Sequence, residues 1–106
     1  MPNRELDELR ERVDDLNSRL LDLLQERAGV VLEISRVKDE LGLQAHDPVR
    51  EAEMLLRLAR STAGPFGPAE VAEIFRAIFR ASLALQERER HRWHAGHPLH
   101  AGGDKP

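Results

Sequence analysis

One polar residue interrupts an otherwise apolar stripe along the first forty residues, and that residue is an arginine. Leu6, Leu9, Val13, Leu16, Leu20 and Leu23 recur in alternating steps of three and four, and Val30, Ile34, Val37 and Leu41 continue the pattern. This is the a/d seam of a long amphipathic helix. The next seam position after Leu23 is Arg27. A guanidinium in an apolar seam loses hydration and cannot shed its charge, so it needs an anion, either a carboxylate elsewhere in the protein or a ligand. Lys38, eleven residues on, returns to nearly the same face, about 16 Å further along the axis. Two cations on one side of a helix outline an anion site.

Helix signals divide the chain into three. Asn3 is a good N-cap for a first helix that runs to Leu41, with Gly42 past its end. Such a helix is about 57 Å long. Asp47 and Pro48 read as N-cap and first residue of a second helix extending to about Ser61, with Val49, Ala52, Leu55, Leu56 and Ala59 on its apolar side. The stretch TAGPFG over 62–67 is a turn. Pro68 opens a third helix expected to end near Arg90, carrying Val71, Ile74, Phe75, Ile78, Phe79, Leu83 and Leu85. Residues 1–90 thus read as one domain, and 91–106 as a poorly patterned, disordered His-rich tail. The connection over 42–47 has little packing in its sequence and is expected to act as a mobile lid.

The architecture follows from length. Two shorter helices cannot cover a seam of about 57 Å in one small monomer, and an exposed leucine stripe would be a large apolar patch. The expectation is an all-α homodimer in which the first helix packs on its symmetry mate. Arg10 fits that arrangement. It lies seventeen residues before Arg27, hence about 25 Å away and turned about 100°, too far for one small ligand to touch both on a single straight helix. Antiparallel copies would bring Arg10 of one chain towards Arg27 of the other.

Composition excludes several classes. With no cysteine there is no disulfide framework and no thiol chemistry, which permits a reducing, cytoplasmic setting. The start MPNRELDELR is charged and lacks the apolar core of a signal peptide, and no stretch reaches the length of a membrane span. A net charge of −3 offers no global attraction for nucleic acid. Any anionic ligand must be held by a local cluster of cations.

On the third helix, Phe75 and Phe79 lead at helical spacing into Ser82 and Gln86, so an apolar face turns polar midway. A hydroxyl and a carboxamide one turn apart are suited to orienting a polar ligand. His91, His94, His97 and His100 recur every three residues, but Gly96 and Pro98 argue against a helix that would align them, and no metal or cofactor is assigned.

The phrases LRERVDDLNSRLLDLLQER, ISRVKDE, DPVRE and FRAIFRASLALQ together make the chain resemble the all-α, AroQ-type chorismate mutases over residues 5–90. The resemblance implies an intertwined helical homodimer that rearranges chorismate to prephenate in phenylalanine and tyrosine biosynthesis. It implies that Arg10 reaches into the partner copy's site, that Arg27 binds a substrate carboxylate, and that Lys38 is shared between a carboxylate and the ether oxygen. Asp47, Arg50 and Glu51 stand at the family's D-x-x-R-E cluster, with Glu51 and the backbone near Asp47 receiving the ring hydroxyl. Ser82 matches the serine beside the ring carboxylate, and Gln86 the donor to the ether oxygen. As a carboxamide, Gln86 needs no acidic pH to donate.

Taken singly, these residues have plainer roles. Arg10 and Arg50 read as solvated arginines, Glu51 as a surface ion-pair partner, Lys38 as a helix-end cation, Asp47 as an N-cap, and Ser82 and Gln86 as satisfied core polar groups. Jointly, at preserved spacing, they read as one ligand site. The alternatives are an isochorismate-pyruvate lyase of the same fold, towards which Asp47, Glu51 and Ser82 point less, and a catalytically silent helical regulatory module. Docking onto another shikimate-pathway enzyme is a further expectation from the resemblance.

Overall fold

The computed structural model describes residues 3–96. Three helices follow one another, α1 (Arg4–Glu40), α2 (Pro48–Arg60) and α3 (Pro68–Gly96), and there is no strand among the described residues. None of these helices is long and apolar enough to cross a membrane.

Short-range chemistry sets the helix ends. The Asn3 side chain accepts from Leu6 N at 2.9 Å, capping the first turn of α1. At the other end Leu43 N donates to Lys38 O at 2.7 Å and Gly42 N to Asp39 O at 3.1 Å, with Gly42 at φ +74°. These bonds make a Schellman turn, whose left-handed position suits a residue without Cβ. Asp47 Oδ1 accepts from Arg50 N at 3.1 Å and caps α2, with Pro48 following as expected. Ahead of α3, Gly67 N donates to Glu70 Oε1 at 2.6 Å, the returning half of a capping box.

Packing divides the chain into a first unit that ends at Val30 and a second that starts at Val31. The first unit is the N-terminal three-quarters of α1. Its seam is open to solvent: exposure runs from 44% at Leu6 to 63% at Leu23. The second unit joins the last turns of α1 to α2 and α3. Phe79 on α3 is its buried apolar residue, at 6% exposure, with Phe75 tilted against it at a ring separation of 6.2 Å. In this unit the seam residues Val30's successors Ile34 and Val37 are also half exposed, whereas Ser35, which lies off the seam, is fully buried. The inward face of these last turns is therefore the one bearing Val31, Leu32, Ser35, Lys38 and Asp39.

The third helix runs beyond the expected end at Arg90 and includes residues 91–96. This corrects the expected start of the tail at His91, and the cause is tertiary. Arg36 stacks its guanidinium 4.8 Å from the Trp93 ring centre, and His94 Nε2 lies 3.1 Å from both carboxylate oxygens of Asp39. Partners far away in sequence hold turns whose own pattern is weak. His97, His100 and the rest of the tail over 97–106 lie outside the described residues.

Candidate active site

The sequence-derived site residues fall into both packing units. Arg10 and Arg27 belong to the first, where Arg10 is exposed and Arg27 half-buried on α1. Lys38, Asp47, Arg50, Glu51, Ser82 and Gln86 belong to the second.

Lys38 is half-buried in the last turn of α1, and its Nζ donates to Ala45 O at 3.3 Å. The bond ties this ammonium to the connection that leads into Asp47. There, one carboxylate oxygen is engaged by the α2 N-cap, so the capping role is observed directly. Arg50 and Glu51 occupy the first turn of α2, with Arg50 exposed and Glu51 half-buried. The Glu51 Oε1 lies 3.7 Å from His46 Nε2. Glu51 also borders a groove of about 460 Å³ between α2 and α3, lined on its apolar side by Leu55, Phe79 and Leu83.

Ser82 and Gln86 sit one turn apart on α3, both half-buried. The Ser82 hydroxyl donates to Ile78 O at 2.7 Å, back along its own helix. Its proton thus points to a carbonyl in this state, and rotation about Cβ–Oγ can redirect it. The connection over 42–47 accepts two hydrogen bonds from outside it: Ala45 O from Lys38, and Leu43 O from Arg90 Nη2 at 3.0 Å. The sequence of the loop itself carries no sign of either tie.

Arg90 and Ser35 are the residues sequence reasoning missed. Arg90 Nε donates to Ser35 Oγ at 3.2 Å, and its Nη2 to Ser35 O at 3.1 Å. The available signal was spacing: Arg90 is four residues beyond Gln86, and Ser35 three before Lys38. Taken alone, a serine in a helix and an arginine at an expected helix end point to nothing.

Over residues 9–87 the chain matches the family description chorismate mutase type II. The chain belongs to that family. All the residues from Arg10 to Gln86 discussed above lie inside the matched span, while Arg90, Trp93 and His94 lie beyond it. Among solved structures, a chorismate mutase (Form II) from Thermus thermophilus is similar at a TM-score of 0.78 and 45% identity, covering 80% of this chain and 97% of that one. A chorismate mutase from Methanocaldococcus jannaschii is 29% identical over 84 residues, covering 78% of this chain and 85% of that protein. The bifunctional chorismate mutase/prephenate dehydratase of Stutzerimonas stutzeri is 38% identical over 88 residues, 78% of this chain but 24% of that protein. The chain thus spans about a quarter of the length of the bifunctional curated relatives it matches. The matched span takes in most of α1, all of α2 and α3 as far as residue 87, together with the two connections between them.

Proposed function

We propose that the chain is a chorismate mutase acting as a homodimer, with its sites shared between the two copies. The observation that carries this reading is the family match over residues 9–87; the site residues are assigned by resemblance to the AroQ-type pattern.

The reaction is a single pericyclic rearrangement and calls for no nucleophile and no proton transfer. The protein has to hold a dianion in a compact, chair-like conformer and stabilise negative charge on the breaking ether oxygen. An acceleration of about 10⁶ needs roughly 8 kcal/mol of stabilisation specific to the transition state. Arg27 and, from the second copy, Arg10 bind carboxylates and restrict the conformer. Lys38 and Gln86 donate to the ether oxygen as charge grows there, already oriented before the reaction begins. Glu51 and the backbone near Asp47 take the ring hydroxyl, Arg50 adds positive charge at the start of α2, and Ser82 turns its proton from Ile78 O to the ring carboxylate. No cofactor enters this scheme. The setting is cytoplasmic, and the mutase docks onto a further enzyme of aromatic biosynthesis, a reading supported by relatives in which a mutase and a second activity share one name.

Dimer formation is supported by the open seam of α1. Covering half of a leucine side chain is worth on the order of 1 kcal/mol, and the seam presents such positions over many turns.

The test is to incubate the purified protein separately with chorismate and isochorismate and follow products by NMR. Prephenate from chorismate is the expected result. Pyruvate and salicylate from isochorismate, with negligible chorismate turnover, would replace this reading with the lyase. No reaction with either would leave a binding or regulatory module.

A further inference from the structure

Ser82, Gln86 and Arg90 stand one above another on α3 at steps of four. The first two belong to the proposed site. Arg90, one turn on, reaches two other parts of the second unit at once. Its Nε and Nη2 donate to Ser35 Oγ and Ser35 O on α1, and the same Nη2 donates to Leu43 O in the connection before α2. Its Nε lies 4.0 Å from Asp39 Oδ1, and the side chain is only 15% exposed.

Polar ties are prominent in this region. Ser35 is the buried residue of α1, while Ile34, Val37, Leu41 and Leu43 are all at least half exposed. Trp93 and His94 also bind α1, through Arg36 and Asp39. The connection itself accepts hydrogen bonds from Arg90, at Leu43 O, and from Lys38, at Ala45 O. A guanidinium presents its N–H groups in a rigid planar fork, so bonds to two elements at once fix where those elements lie. Lys38 follows Ser35 by three residues, and Gln86 precedes Arg90 by four.

We propose that Arg90 is a positioning residue for the reaction. Through Ser35 and Leu43 it sets Lys38 and the 43–47 connection against Gln86, so that donors from α1 and α3 converge on one ether oxygen. The proposal rests on the mutase reading above. Two donors on different helices must meet a single atom, and a misplacement of about 1 Å can cost on the order of a hundredfold in rate.

The experiment compares wild type, Arg90→Ala, Arg90→Lys and, as a control, the exposed Arg92→Ala, all as full chains well below their melting temperatures. Chorismate turnover is measured alongside amide exchange over 42–47. For Arg90→Ala the expected result is a fall in kcat of about tenfold or more that exceeds the change in KM, because the lost alignment matters most in the transition state. Exchange over 42–47 should speed up, and millimolar guanidinium should restore part of the turnover. Arg90→Lys keeps the charge without the fork and should stay impaired, while Arg92→Ala should match wild type. A folded Arg90→Ala with kcat within about twofold of wild type, or with unchanged exchange over 42–47, overturns the proposal. If Arg90→Ala does not fold, Ser35→Ala decides. It removes one acceptor from the fork and should lower kcat about threefold, a single hydrogen bond's share; wild-type turnover in Ser35→Ala overturns the proposal. Failure of the mutase reading is distinct, since then wild type itself leaves chorismate untouched.

Discussion

Residues 4–30 and 31–40 belong to one helix, yet they meet the rest of the protein in different ways. The first stretch presents its apolar seam to solvent from Leu6 to Leu23. The second turns a different face inward, buries Ser35, and is gripped by Arg90, Trp93 and His94 from α3. One stretch is packed by its own chain, and the other keeps an open apolar seam, the surface on which the proposed second copy is expected to pack. The helix can offer two different faces because its apolar pattern repeats every 3.5 residues while the helix turns every 3.6, so the seam drifts around the axis.

The comparison is broken most severely by charge in the seam. Leu16→Glu combined with Leu20→Glu should abolish dimerisation and reduce turnover below detection, because each buried unpaired carboxylate costs several kcal/mol. Sedimentation equilibrium reads the first effect, and the second unit should keep its helical signal. A dimer surviving both substitutions would mean that the seam is not the interface. Next in size is Arg27→Ala, which should lower kcat/KM about a hundredfold to a thousandfold, as expected for one charged donor removed from a preorganised site. Circular dichroism should be unchanged. Activity within a few-fold of wild type would remove Arg27 from the site. The smallest effect belongs to the self-contained unit. Asp47→Ala removes the α2 cap and should cost about 1 kcal/mol in urea unfolding, in addition to any loss of turnover.

Much of this was legible because it is local. Asn3, Gly42, Asp47 and Pro48 act within a turn of themselves, and their roles as caps appear in the structure as the residue types require. The family was legible for a different reason: the spacing of several polar residues is a fingerprint even when each residue alone is commonplace. The end of α3 was not legible, since residues 91–96 lack an apolar period and stay helical through Arg36 and Asp39, more than fifty residues earlier in the chain. Arg90 was hidden likewise, because its acceptors are mostly backbone carbonyls, which carry no residue-type signal. The seam shows the converse limit. Its period was plain, but the sequence alone did not reveal that Ser35, beside it, would be the residue that packs inward.

The central claim is that the open stretch of α1 completes a site in a second copy, and subunit mixing tests it most directly. Arg10→Ala and Arg27→Ala proteins are each nearly inactive by this account, but a heterodimer of the two contains one site with both arginines intact. After unfolding and joint refolding, random pairing should return about a quarter of wild-type turnover. A mixture no more active than its two components, with heterodimers demonstrated by mass spectrometry, would contradict the shared site.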